Sequence, residues 1–142
     1  MKRFPRLTPV AFRLAATIAV LFLVSVSLGA SASEEPAVDS SNKWRLEFSG
    51  KANSDGVIAF LISPLDGDPI SVEVSVENNT GENGVAKTVV KGLKAHLPKD
   101  RFHVERDDGE DVLIKKRHGT EDFGVEIVSN DVDGVRIKKE KE

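Results

Sequence analysis

Carboxylates and glycines gather in three short stretches, Asp66-Gly67-Asp68, Asp107-Asp108-Gly109-Glu110-Asp111 and Asn130-Asp131-Val132-Asp133-Gly134. Calcium is the ligand such stretches suit, because a hard cation takes several carboxylate and carbonyl oxygens at once. The third stretch can be laid on an EF-hand loop, with Ser129, Asp131, Asp133, Gly134 and Glu140 at its first, third, fifth, sixth and twelfth positions. Three features break the match: the first position lacks a carboxylate, the eighth holds Arg136 where an apolar residue belongs, and no flanking helices are evident. Turn formation explains the same residues without a metal, since Asp bonds to its own backbone and Gly permits positive φ. Asp131, Asp133 and Glu140 stand as the calcium candidates, and the expectation is no metal and no cofactor.

The histidines are His96, His103 and His118. None forms an H-x-x-x-H or H-E-x-x-H pair, so the spacing gives zinc no support. Serines are available, but G-x-S-x-G and S-x-x-K are both missing. Acids are plentiful enough for paired-carboxylate hydrolysis of sugars, with Asp107, Asp108, Glu110 and Asp111 as its candidates. Glycines are scattered singly, so no phosphate-cradling loop is present. Lys115-Lys116-Arg117-His118 is a short cationic turn that could touch an acidic polymer or partner, although one such cluster reads first as a solvated loop. Asn78-Asn79-Thr80 matches the N-glycosylation sequon, which matters only in a eukaryotic secretory route.

These groups must be held by local elements. Trp44-Arg45-Leu46-Glu47-Phe48 alternates apolar and charged residues, the pattern of a half-buried strand. Val57 to Ile62 is apolar on both faces, as expected of a central strand covered from two sides or of one packed under a helix. Ile70, Val72, Val74 and Val76 alternate with Ser71, Glu73, Ser75 and Glu77, giving one packed face and one wet face. The period then lengthens: Val85, Ala86, Val89, Val90, Leu93 and Leu97 fall within an arc of ~140° on a helical wheel. Asn79 or Thr80 is placed to cap that helix, Asn79-x-x-Glu82 resembles a capping box, and Pro98 ends it. Gly84 and Gly92 each weaken it by about 1 kcal/mol, so it must dock on the sheet. Lys87, Lys91 and Lys94 lie opposite the apolar arc, as on a solvated face.

Four short strands follow, built on Phe102 and Val104, on Val112 and Ile114, on Phe123, Val125 and Ile127, and on Val135 and Ile137. The expected order is β-β-β-α-β-β-β-β. The expected fold class is α+β, with one amphipathic helix on a mainly antiparallel sheet of six or seven short strands.

The N-terminal stretch addresses the chain. Lys2, Arg3, Arg6 and Arg13 precede an uncharged, mostly apolar run from Leu14 to Ala30, and Ala30-Ser31-Ala32 fits the small-residue pattern of a cleavage site. Residues 1–32 therefore read as a secretory signal peptide cut after Ala32, leaving Ser33 first. A retained membrane anchor is the competing reading, although the run is short of the ~20 residues that span a bilayer. No cysteine follows the run, so lipid attachment there is excluded, and Lys2-Arg3-Phe4-Pro5 gives twin-arginine export little support.

The organisation expected is a flexible acidic leader over 33–43, a single domain over 44–138 and a charged tail over 139–142. Cleavage would raise the acidity, because the signal removes four of the twenty basic residues and none of the 23 acids, changing the net charge from −3 to −7. That balance argues against nucleic acid and anionic membrane as partners, both of which need a basic surface. With no cysteine in the chain, disulfide scaffolds, thiol catalysis and thiolate zinc sites are excluded.

The functional expectation is a small exported binding or accessory module, secreted or periplasmic, without catalysis. It would engage an extracytoplasmic protein or a small ligand through a sheet edge or through the polar face of Ser71, Glu73, Ser75 and Glu77. A small hydrolase or carbohydrate-active enzyme is the alternative, and a calcium-stabilised domain is a third reading.

Overall fold

The computed structural model describes residues 37–142. The expected signal peptide, with Ala30, Ala32 and Ser33 at its cleavage site, lies outside the described residues. Strands β1 (Ser40–Ser41), β2 (Lys43–Gly50), β3 (Gly56–Pro64) and β4 (Ile70–Val76) lead to helix α1 (Glu82–His96). Strands β5 (Phe102–Asp107), β6 (Asp111–Lys116), β7 (Phe123–Asn130) and β8 (Val135–Lys141) follow. The architecture is mostly antiparallel sheet with a single helix, roughly the α+β arrangement that the patterning indicates.

The strands divide between two sheets, ordered β1-β7-β3-β4 and β5-β6-β2-β8, with every pairing antiparallel. This corrects the expectation of one sheet with six or seven strands. Period-2 patterning identifies which residues share a face, but not which sheet the strand joins. The chain changes sheet between β1 and β2, β2 and β3, β4 and β5, β6 and β7, and β7 and β8, and none of these crossings leaves a mark in the alternation. The eighth strand, Ser40–Ser41, is too short for periodicity to show.

Two boundary expectations also change. Ser40 and Ser41 pair with Gly124 and Phe123, so the expected flexible leader contributes a strand. Lys139, Glu140 and Lys141, expected in the tail, pair with Leu46, Arg45 and Trp44 at the far end of β8.

Ile58, Phe60 and Ile62 of β3 and Val72, Val74 and Val76 of β4 face Trp44, Leu46 and Phe48 of β2 in one buried core. Val85, Ala86, Val89 and Leu93 of α1 complete it, all fully buried as their arc implies. Gly92 has a packing role: a Cβ there would lie 2.6 Å from Val74 Cγ2, so its missing side chain lets α1 approach β4. The capping expectation is overturned. Gly81 occupies the N-cap without a side-chain bond, while Asn79 sits outside the helix at φ 66°. Glu82 bonds elsewhere, its Oε2 accepting from Gly50 N at 3.2 Å.

Candidate functional site

The outward face of the β1-β7-β3-β4 sheet carries the most distinctive surface. Because side chains alternate along a strand, burying Ile58, Phe60 and Ile62 forces Val57, Ala59 and Leu61 to the other side. Those three remain half-buried. Among the described residues this side of β3 is covered only in part: Val38 lies over Gly124, the partner of Ser63, and Val57, Ala59 and Leu61 stay half-buried.

Register surrounds this stripe with polar groups. Val57 pairs with Ser75, Ala59 with Glu73, and Leu61 with Ser71 on β4. On the other flank Leu61 pairs with Glu126 and Ala59 with Ser129 of β7. The register of β7 slips between Ala59 and Phe60, leaving Val128 as the additional residue of a bulge, 57% exposed. The result is an apolar centre with a polar, acidic rim.

Ser71, Glu73 and Ser75 are all exposed on this face, and Glu77 is exposed just beyond β4. The sequence pointed to this flank of the surface but missed its centre. The available signal is the unbroken run Val57 to Ile62, whose second apolar side is half-buried rather than fully covered.

The calcium candidates are not brought together. Asp133 accepts at its carbonyl from Asn53 N at 2.8 Å, and its own N–H donates to Ser54 Oγ at 3.0 Å, binding the turn to the loop before β3. Glu140 lies five residues past Val135 along an extended strand, about 17 Å away, and pairs with Lys138 Nζ at 2.8 Å. Among the described residues, no three His, Asp or Glu side chains are grouped closely enough to share a metal.

The candidate hydrolytic acids serve a different arrangement. Asp111 is 7% exposed and accepts from Arg45 Nη1 at 2.9 Å, while Asp107 lies 3.9 Å from Arg45 Nη2. Glu142 also pairs with Arg45 and, at 2.5 Å, with Lys43. Burial pushes the Asp111 carboxyl above the ordinary aspartate range, against the opposing pull of Arg45. Hydrogen bonds from Lys43 and then Arg45 hold Glu142 below the usual carboxylate range. Lys115, then His103, do the same for Glu105, with His103 Nε2 3.0 Å from its carboxylate. His96 instead contacts Gly92 O through Nδ1 at 2.8 Å.

A scan against protein-family models finds no match to this chain, and a search of curated proteins likewise finds none. The residues and their geometry therefore carry the functional reading.

Proposed function

We propose that this chain is an exported binding module that engages a protein partner through the outward face of β3, β4 and β7. The observation that carries the proposal is the half-buried apolar stripe Val57, Ala59 and Leu61, with Val128 exposed beside it. Covering apolar area releases roughly 25 cal/mol per Å², which supplies the drive for association. Ser71, Glu73, Ser75 and Glu126 form the rim, where polar groups exclude water and select the partner.

The rim also indicates the partner's chemistry. Glu73 and Glu126 flank the stripe on opposite sides, so a complementary surface needs an apolar centre and basic margins. A second copy of the same face would meet these carboxylates with carboxylates, which disfavours self-association. The basic, apolar and small-residue segments of residues 1–32 support delivery outside the cytoplasm.

Affinity capture from the extracytoplasmic fraction, with wild-type protein and with Leu61→Arg in parallel, tests this reading. A partner with a basic surface, retained by wild type and lost with the variant, is expected. Equal recovery on both would overturn the face. A single 142-residue species in the cytoplasm, uncut at Ala32, would overturn export.

A further inference from the structure

We propose that a second surface, separate from the β3 face, is a binding track for a linear anionic polysaccharide. Three adjoining depressions define it. The first runs along the outer side of α1 between Lys87, Lys91 and Lys94. The second, of about 320 Å³, lies at the end of the helix among Lys94, Lys99, His103 and Arg117. The third is bordered by Lys43, Lys115, Lys116, Arg117 and His118. Lys94 belongs to the first and second and Arg117 to the second and third, so the depressions join into one path.

The charge on this path runs against that of the protein. Of twenty Lys and Arg residues, four precede residue 14, leaving sixteen in the described part, and eight of those line the track. Among the described residues no Asp or Glu lines any of the three depressions. Lys43, Lys115 and Lys116 are paired from outside it, with Glu142, Glu105 and Asp122. Lys87, Lys91, Lys94, Lys99 and Arg117 make no ion pair among the described residues. Arg117 is nevertheless held in place: its Nε donates to Lys99 O at 2.6 Å and its backbone N–H to Arg101 O at 2.8 Å. That fixes the guanidinium and leaves its terminal nitrogens for a ligand.

The residue types select the polymer. Seven of the eight cations are lysines, point charges on flexible stems that follow charge density rather than one bidentate geometry. A polymer with repeated carboxylate or sulfate groups matches that better than a single small anion. Bases would need aromatic platforms, yet Trp44, Phe48, Phe60, Phe102 and Phe123 are all 5% exposed or less. The expected ligand is therefore a polyanion without bases, recognised by charge along a path that three depressions trace.

Binding of the purified protein to dextran sulfate and to a uronate polymer tests this, with oligo(dT), polyglutamate and phosphatidylglycerol vesicles alongside. Both polysaccharides should bind, and with about five phosphate-like contacts the affinity should fall about tenfold for each doubling of salt. Lys91→Ala/Lys94→Ala/Lys99→Ala should weaken binding by about tenfold or more without lowering the melting temperature. Lys51→Ala/Arg106→Ala/Arg136→Ala removes the same charge elsewhere and should leave binding nearly unchanged. Leu61→Arg should leave it unchanged as well, which separates this site from the β3 face. Equal losses in the two triple variants, no polysaccharide binding at low salt, or a preference for oligo(dT), polyglutamate or vesicles would each overturn the proposal.

Discussion

Trp44 Nε1 donates a 2.8 Å hydrogen bond to the carbonyl of Phe123, joining β2 of one sheet to β7 of the other. The indole is 1% exposed, and Phe123 also meets Phe102 edge-on, with ring centroids 5.1 Å apart. This is where the two sheets are fastened across the core.

Trp44→Phe keeps an aromatic ring in place but removes the donor, leaving a buried carbonyl short of a partner. A loss of about 1–3 kcal/mol is expected from the unmet bond alone, before any cost of the smaller ring. Urea denaturation reads this as a lower midpoint, and an unchanged midpoint would remove the bond from the account.

Asp111 sets a pH dependence of defined sign. Its carboxyl is raised by burial, so the folded state holds the proton more tightly than the unfolded chain does. Its stabilising contribution is fully present below the unfolded value of ~3.9 and is lost as pH rises through the folded value. Asp111→Asn has no titrating proton at this position. Its stability relative to wild type should therefore be higher at about pH 7 than at about pH 3, by denaturation at each pH. The opposite trend would mean that the pull of Arg45 outweighs burial.

Two glycines separate backbone strain from collision. Gly119 has φ +84° with open space around its missing side chain, so Gly119→Ala should cost only about 1–2 kcal/mol. Gly50 has φ +89°, and a Cβ there would lie 2.2 Å from the Gly134 carbonyl oxygen. Gly50→Ala should cost clearly more, because the β2 end and the turn before β8 must separate to admit the methyl. Equal melting temperatures for the two variants would contradict the close approach.

Calcium should leave the melting temperature where chelator leaves it. The backbone of Asp131 is bonded to Val57 and that of Asp133 to Asn53 and Ser54, and Glu140 is paired with Lys138 along an extended strand. A stabilisation that grows with calcium concentration would show that these groups are brought together in solution.

What could be read from the sequence follows from what each pattern encodes. Alternation in Trp44 to Phe48 and Ile70 to Val76 gave the buried faces of β2 and β4 correctly, because only one face of each meets the core. The helical arc gave the buried side of α1 for the same reason. The partition into two sheets was not readable, since Lys43–Gly50 and Phe123–Asn130 alternate no differently for lying in different sheets. The helix cap failed through competition, as Asn79 takes a left-handed conformation and its N–H donates to Ala52 O at 2.8 Å. At the candidate interface, Ser71, Glu73 and Ser75 were legible as a polar face. Val57, Ala59 and Leu61 were not legible as the less buried side, because apolar residues on both sides of a strand do not say which side is covered. Val128 emerged only with the bulge in β7.

The half-buried apolar stripe on β3 is the centre of the proposed interface, and the affinity of the captured partner measures it most directly. Calorimetric titration of that partner into wild type, Leu61→Arg and Lys91→Ala/Lys94→Ala/Lys99→Ala separates this face from the rest of the surface. Leu61→Arg is expected to weaken binding by at least about tenfold, the equivalent of ~1.4 kcal/mol, while the lysine variant binds as wild type does. Equal affinities for wild type and Leu61→Arg would contradict the assignment.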